Sequence, residues 1–475
     1  MKKIITVIYT LSFVIGAVSA QSVYDGVKIA DKDLNGTARF VGMGGAMGAL
    51  GGDITTMGTN PAGIGIYRSN DVMTSFSYSA YGMESKYEGQ KSTIDKNRWS
   101  FDNIGVVFAT KIGNQTPLRY VNFGFNYKRS KSFYKNMSMS GMMGVVENPS
   151  NPGSPYYVSQ TNSMALQATD AERYVWDNSR QHLDFDNANR IFSDPDAGWL
   201  GALGYQGGLT ERDRIDNEPD LYVPFLPVEP SSVFNSREKG GIDQYDFNVS
   251  FNINDRVYLG LTIGAYDVDY DKYSGYDESY KRGEGYSLES YNNISGSGFD
   301  VKMGLILRPF EYSPFRIGFA VHTPTFYKLT YSTSAIVTND YRDANTDELK
   351  RIIVDTYDYV GDMKRDYRLV TPWKYNVSLG YTVGTSLALG AEYEYEDYST
   401  MKFKYSSNDG GGDMEFENAE VKNCLKGEHT FRIGAEYKVI PEFAFRLGYN
   451  YSSYNRQIKK FPTEKQNVSL KHILT

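Results

Sequence analysis

Trp373-Lys374-Tyr375-Asn376-Val377-Ser378-Leu379-Gly380-Tyr381-Thr382-Val383 alternates apolar and polar side chains without a break. A period of two puts Trp373, Tyr375, Val377, Leu379, Tyr381 and Val383 on one face of an extended strand and Lys374, Asn376, Ser378, Gly380 and Thr382 on the other. The same alternation recurs at 121–128, 245–253, 257–265, 299–307, 315–321, 387–395, 431–439 and 443–451, with weaker stretches at 72–78 and 104–108. These make about eleven strands of roughly ten residues, the signature of an all-β transmembrane antiparallel barrel.

The connections between the stretches separate into two sets. Short ones fall at 113–118, 254–255, 310–314, 383–386 and 440–442; long ones, rich in Asp, Asn, Gly, Ser and Tyr, fall at 83–97, 133–240, 271–296, 332–365 and 401–427. A soluble β-sandwich has short turns at both ends. Short periplasmic turns with long outer loops are the barrel arrangement. The mean hydropathy of −0.48 agrees, because only alternate strand residues of a barrel meet lipid. Among the 40 Tyr and 25 Phe residues, Tyr127, Trp373, Tyr375, Tyr395, Tyr449 and Tyr451 fall on the outward face near strand ends, where amphipathic rings settle at a membrane interface.

The first twenty residues read as a secretory signal peptide: Lys2 and Lys3, an apolar run from Ile4 to Gly16, then Ser19 and Ala20 before cleavage at Gln21. No Cys follows the cleavage point to carry a lipid, and no later apolar run is long enough for a membrane helix. The domain reading is therefore 1–20 signal peptide, 21–70 plug or hatch, and 71–475 barrel, in the outer membrane of a Gram-negative cell. The formal charge of −7 becomes more negative when Lys2 and Lys3 leave, which disfavours nucleic acid as a partner. Cys424 is the lone cysteine, and His182, His322, His429 and His472 are scattered without metal-ligand or triad spacing. No catalytic residue, metal or cofactor is expected, and the chain is read as a monomer in lipid.

Residues 23–68 lack alternation, are dense in glycine, and are too short to fold alone. They are read as a plug held inside the barrel. On the inward face of the strands, Gly124, Gly260, Gly264, Gly304, Gly318, Gly380, Gly390, Gly434 and Gly448 lie close to the short turns. Such a ring either makes room for the plug backbone or relieves strand curvature. The loop 133–240 is too long to be structureless, has helical character over 165–190, and reads either as a cap over the barrel mouth or as a variable surface decoration.

Within the plug, Arg39-Phe40 leads into Gly42-Met43-Gly44-Gly45-Ala46-Met47-Gly48 and then Asn60-Pro61-Ala62. Here the chain resembles the FadL/TodX family of outer-membrane hydrophobic-compound transporters, whose N-terminal hatch carries an Arg, a small-residue run and an Asn-Pro-Ala motif before the first strand. The resemblance implies a barrel of fourteen strands, passive diffusion of long-chain fatty acids or aromatic hydrocarbons, hatch rearrangement, and a sideways opening in the wall. It carries over Asn60, Pro61, Ala62 and Arg39 as gating residues. Asn60 would tie the hatch to its surroundings, and Pro61 would stiffen the turn.

Phe40, Met43, Met47, Leu50, Met57, Ile64 and Ile66 are candidate ligand-lining residues, apolar and adaptable. Ordinary core packing explains the same residues. The glycine run lacks the Gly-Lys-Ser/Thr ending of a phosphate loop. Two other readings stay open: a haem-uptake receptor, given abundant Tyr, and an adhesin using loop 133–240. The C-terminus departs from the family pattern. The eleventh strand ends outside near Tyr454, and the tail is read as an outer loop that does not return, as if the barrel were incomplete.

Overall fold

The computed structural model describes residues 23–87, 90–146, 156–157, 159–194, 197–214, 217–225, 230–440, 443–453 and 470–474. The signal-peptide stretch lies outside them. The N-terminal segment holds helices α1 (Val23–Ala30) and α2 (Ala38–Gly42) and two 3-10 turns, Ile54–Gly58 and Pro61–Ile66. An antiparallel sheet follows, in which β1 (Asp71–Tyr87), β2 (Gln90–Lys111) and β3 (Leu118–Ser132) pair in order. After β4 (Lys135–Met142) comes an insertion with helices α3 (Gln160–Ser179) and α4 (Trp199–Gln206) and a hairpin of β5 (Thr210–Asp213) and β6 (Leu221–Pro224).

The sheet resumes with β7 (Ser231–Ile253), which pairs with β3 and β4, then β8 (Val257–Ser279) and β9 (Gly285–Leu307). The next three wall positions are each split in two. β10 (Arg316–His322) and β11 (Phe326–Arg342) both pair with β9. β12 (Met363–Val370) pairs with β11, and β13 (Lys374–Val383) with β10. β14 (Leu387–Asp397) pairs with β13, and β15 (Lys402–Tyr405) with β12. Pro324 and Pro372 sit in two of the breaks, where a residue without an N–H cannot extend the ladder; Thr325 and Thr371 hold the gap by Thr371 N to Thr325 O at 3.1 Å and Thr325 N to Thr371 Oγ1 at 2.8 Å. The third break is the 3-10 turn Tyr398–Thr400. β16 (Gly427–Ile440) and β17 (Phe443–Ser453) follow, and β18 (Leu470–Leu474) pairs back onto the outer end of β17.

Every stretch read as a strand lies in this wall. Two expectations are corrected. The tail does return, since Ser453 pairs with Leu470 and Tyr449 with Leu474, which makes twelve wall positions among the described residues against the fourteen the resemblance implies. The long connections at 83–97, 271–296 and 332–365 are largely strand: β1 runs to Tyr87 with β2 from Gln90, and β8 to Ser279 with β9 from Gly285. Their alternation was illegible because the outward face turns polar there while, on β8, β9 and β11, the inward face becomes tyrosine-rich and apolar, which reverses the phase of the pattern. On β8 the outward residues change from Val257, Leu259, Leu261, Ile263 and Ala265 to Asp267, Asp269 and Asp271.

That change marks the edge of an apolar band. Strands β7, β8 and β9 have 23 residues each. At about 3.3 Å per residue and a tilt of about 40° they stand roughly 55–60 Å tall, twice the ~25 Å outward apolar band of a membrane barrel. Trp373, just before β13, and Tyr375, Val377, Leu379, Tyr381 and Val383 along it are all exposed outward, while Asn376 and Ser378 are buried inward. The top of the band is an aromatic belt: Phe76–Phe101 at 5.2 Å, Phe101–Tyr127 at 5.6 Å, Tyr127–Tyr245 at 5.4 Å and Phe299–Phe326 at 5.4 Å between ring centroids.

The insertion is a folded cap on the tall outer wall. Met164, Ala168, Leu200, Ala202 and Leu203 share a core with Tyr286, Ala335, Val337 and Val354 of the wall side. Helix α3 begins at Gln160, before the stretch read as helical, and ends at Ser179 with Arg180 in the left-handed region at φ 56°. Its start is docked by Glu278 of β8, a buried carboxylate that accepts from Ser159 Oγ at 2.8 Å, Gln160 N at 3.0 Å, and the Tyr276, Tyr280 and Tyr286 hydroxyls at 2.7, 2.7 and 2.9 Å. A carboxylate at a helix N-terminus also meets the positive end of its dipole.

Two outcomes are expected. In bilayers of brominated lipid, a single-tryptophan protein keeping Trp373 is quenched, while one keeping Trp176 of the cap is not; equal quenching would refute the assigned membrane level. Glu278→Ala leaves four hydroxyls and a helix N-terminus without their acceptor, a loss of about 2–3 kcal/mol, and limited proteolysis should cut the cap faster while the wall stays resistant.

Candidate functional site

Residues 23–68 touch the wall from β2 round to β17, so the sheet wraps them. Their local structure is set by three side-chain caps. Thr37 accepts from Phe40 N at 3.1 Å, Asp53 from Thr55 N at 2.9 Å and Asn60 from Ala62 N at 3.2 Å. Thr37 Oγ1 donates to Asp53 at 2.6 Å, which ties the first cap to the second.

The wall approaches this segment most closely at glycine. A Cβ on Gly260, Gly390, Gly434 or Gly448 would overlap, respectively, the backbone at Pro61, Ala46, Met43 or Gly44. Gly44 itself has φ 62°, a conformation glycine adopts freely, at the point where the two backbones meet. Gly304 and Gly318 make room for the Asn60 side chain, and Gly380 lies against Ala49 and Leu50. Gly124 faces the flexible end of Met57. Gly264 is different: it sits higher and faces Asp300, Lys302 and Asp246, all side chains of the wall. Gly105, which the sequence reading passed over, faces Ile54.

Around the glycines, polar wall side chains hold the segment by its backbone. Asn122 Nδ2 donates to Ile64 O at 2.7 Å and Tyr67 O at 2.9 Å; Ser250 Oγ donates to Pro61 O at 2.8 Å; Arg316 Nη1 donates to Leu50 O at 2.7 Å. His322 Nε2 meets Thr59 O at 2.7 Å, and Glu392 accepts from Gly48 N at 3.0 Å. These residues were missed, yet a signal existed: Asn122, Arg316 and Glu392 each lie two positions from a ring glycine, hence on the same strand face.

Arg39 and Asn60 make the contacts that run from the segment outward. Arg39 forms a two-pronged ion pair with buried Glu436 of β16 (Nε–Oε2 3.0 Å, Nη2–Oε1 3.1 Å) and donates through Nη1 to Gly52 O at 2.8 Å. Arg446 of β17 shares Glu436 at 2.6 Å. Asn60, fully buried, donates to Gly48 O at 2.8 Å and to Leu305 O of β9 at 3.4 Å, so one amide joins two loops of the segment and the wall. Pro61 opens the second 3-10 turn at its first position, where its missing N–H leaves nothing unpaired, and Ala62 packs against Tyr258 and Ile306.

The seven apolar candidates pack in three small cores. Phe40, Met43, Met47 and Leu50 cluster with Ala388; Met57 and Ile64 with Ile54 and Val107; Ile66 lies against the Ala62 cluster. Met43, Met47, Met57 and Ile64 are wholly buried.

Above the segment the lumen is layered. First comes a belt of buried charge. Lys302 Nζ lies 3.0 Å from Asp246 and 2.7 Å from Asp300, Arg432 bridges Glu392 at 2.7 Å and Glu394 at 2.9 Å, and Lys374 pairs with Glu394 at 3.2 Å and with Glu396. Each charge has an opposite partner, as low-dielectric burial requires. Higher still, the inward face becomes apolar: Tyr266, Val268, Tyr270, Ile294, Tyr327, Leu329, Tyr367, Leu369 and Phe403 form one cluster, into which α1 inserts Val23, Val27, Ile29 and Ala30. Lys28 of α1 bonds the Tyr270 hydroxyl at 2.6 Å and Glu238 at 2.9 Å.

The sequence matches no family model and no curated protein. Among solved structures the chain is similar to the CymD monoaromatic hydrocarbon channel (TM-score 0.40, 11% identity, covering 89% of this chain and 85% of that one). It is also similar to the Ralstonia pickettii toluene transporter TbuX (0.37, 12%, 89% and 90%) and to a Pseudomonas aeruginosa FadL homologue (0.42, 11%, 90% and 82%).

Glycine replacements should sort by what each one meets. Gly434→Leu, which drives a side chain into the Met43 carbonyl, should release residues 23–68 to protease in the folded protein, whereas Gly412→Ala, with open space around it, should not. Unchanged protection in Gly434→Leu would refute the close-approach reading. Arg39→Ala leaves Glu436 with Arg446 as its partner, a loss of about 1.5–3 kcal/mol from the charged hydrogen bonds removed, and should expose the same segment more than Arg39→Lys.

Proposed function

We propose that this chain is a passive outer-membrane transporter of hydrophobic small molecules, with residues 21–70 acting as the hatch. The observation that carries this reading is the apolar inner surface of the upper wall, a chamber occupied by α1, which would have to withdraw to admit a ligand. A barrel that passes water and ions lines its lumen with polar groups; here the inward faces of β8, β9, β11 and β12 carry Tyr266, Val268, Ile294, Tyr327, Leu329, Tyr367 and Leu369. Apolar lining with a few polar tips is what a hydrophobic ligand requires.

The hatch works as a removable floor. It is held by hydrogen bonds from the wall to its backbone and by ion pairs at Lys28, Asp31, Asp33, Arg39 and Arg68, and its apolar contacts are divided between three small cores below and the α1 contacts above. Arg39 and Asn60 gate by fastening it. When it shifts, Met43, Met47, Met57 and their apolar neighbours line the vacated path. No inner-membrane energy source is needed, because the solute runs down its own gradient. The ligand class is long-chain fatty acid or aromatic hydrocarbon. The charge belt below the chamber opposes straight passage of such a solute, and the three aligned breaks in the wall at 323–325, 371–373 and 398–401 supply a sideways exit.

Mass spectrometry of the detergent-extracted protein should find fatty acids or aromatic hydrocarbons enriched over a detergent blank. Leu369→Gln removes one buried apolar side chain from the chamber, about 1.5–3 kcal/mol of burial, and should lower retention tenfold or more. Retention unaffected by Leu369→Gln would overturn the chamber as the binding place, and a haem absorbance band would replace the proposed ligand class by haem.

A further inference from the structure

The cap brings together three residues far apart in sequence. Glu172 lies on α3; the left-handed Arg180 turns the chain so that His182 folds back beside it; Asp220 precedes β6. His182 Nδ1 is 2.5 Å from Glu172 Oε1 and 3.7 Å from Asp220 Oδ2, and the three ligand atoms all lie within 4.8 Å of one another. Both carboxylates are buried, while the imidazole is 43% exposed.

Hydrogen bonding alone does not account for this arrangement. One ring nitrogen can share a proton with one carboxylate, yet Nδ1 faces two. The other Glu172 oxygen is taken by Leu183 N at 2.9 Å, which fixes the carboxylate's orientation. Asp220 has Arg212 Nε only at 3.8 Å, because Arg212 directs its Nη2 to Asp186. An independent sign is the Tyr222 hydroxyl. Its residue is 5% exposed, it has no hydrogen-bond partner within 3.5 Å, and Glu172, Asp220 and Arg212, whose Nη2 is turned to Asp186, are the charges around it. A buried hydroxyl left without a partner beside two buried carboxylates is the environment a bound ion would complete.

We propose that Glu172, His182 and Asp220 form a binding site for a divalent transition-metal ion of the zinc class, with Tyr222 and water at its remaining positions. One imidazole nitrogen with two carboxylate oxygens is a donor set zinc accepts. Bonds of about 2.0–2.2 Å place neighbouring ligand atoms roughly 3.3 Å apart, so Glu172 and His182 separate slightly and Asp220 moves in. The ion joins α3, the turn after it and the β5–β6 hairpin into one rigid cap. The exposed edge of His182 is the way in.

The purified full chain, stripped with chelator and desalted after Zn2+ loading, should retain one Zn2+ per chain by elemental analysis. Co2+ in its place should give visible absorption bands, and the emission of Trp176, whose ring lies 4.6 Å from that of His182, should fall. His182→Gln preserves a hydrogen bond to Glu172, and Asp220→Asn preserves shape; each should bind at least about tenfold more weakly while the cap remains protease-resistant. Zn2+ no higher than the buffer blank in the unaltered protein would overturn the proposal, as would equal retention by both variants. Fatty-acid or hydrocarbon retention reads the chamber and not this site, so the two readings fail separately.

Discussion

The contact on which the interior depends is backbone against backbone. At Gly260, Gly390, Gly434 and Gly448 the wall carries no side chain, and the N-terminal segment lays Pro61, Ala46, Met43 and Gly44 directly on it. Interiors are close-packed, so removing a layer of side chains from one surface is what allows a second chain layer to fit within a fixed circumference. The segment's peptide groups then lie within reach of the wall, and Asn122, Ser250, Arg316 and Glu392 satisfy them. Lacking a core of its own, the segment borrows the wall both for its apolar contacts and for its hydrogen bonds.

Vertical order follows from the same geometry. The N-terminal segment lies against glycine and polar side chains, the belt above it pairs Lys302, Lys374 and Arg432 with carboxylates, and above the belt the inward face becomes mainly aromatic and aliphatic. Unpaired, any of those charges would carry several kcal/mol of desolvation. Paired, they fix the spacing of β7, β9, β13, β14 and β16 at one level. The rigid belt therefore lies between two apolar regions, the small cores of the floor and the chamber that α1 fills from inside.

What could be read from sequence follows this layering. Within the apolar band the two faces differ in hydropathy, so 373–383 and 257–265 were recognisable as strands. Above the belt Asp267, Asp269 and Asp271 face water outside while Tyr266, Val268 and Tyr270 face the chamber, and the tyrosines hide the alternation; β8 and β9 seemed to stop where they continue. The inward glycines could be aligned by period, but what each one faces depends on shear between strands, and Gly264 shows the difference, since it meets Asp300 and Lys302 instead of the floor. Glu172, His182 and Asp220 had no readable spacing because a left-handed turn and a hairpin bring them together.

The breaks at 323–325 and 371–373 draw these features into one argument. A wall of continuous ladders would leave the chamber open only upward, under the cap. Pro324 and Pro372 remove ladder donors side by side, and the remaining link between them runs through Thr371 Oγ1 and a single backbone bond. The weakness lies at the aromatic belt, with Phe326 and Trp373 on its outer side and Tyr327 of the chamber on its inner side. A hydrophobic solute there has apolar surroundings on both faces, whereas below it the paired charges of the belt would have to be separated. For the proposed transporter, a sideways exit at these breaks would separate fewer paired charges than passage straight down, and the wall is interrupted at that height.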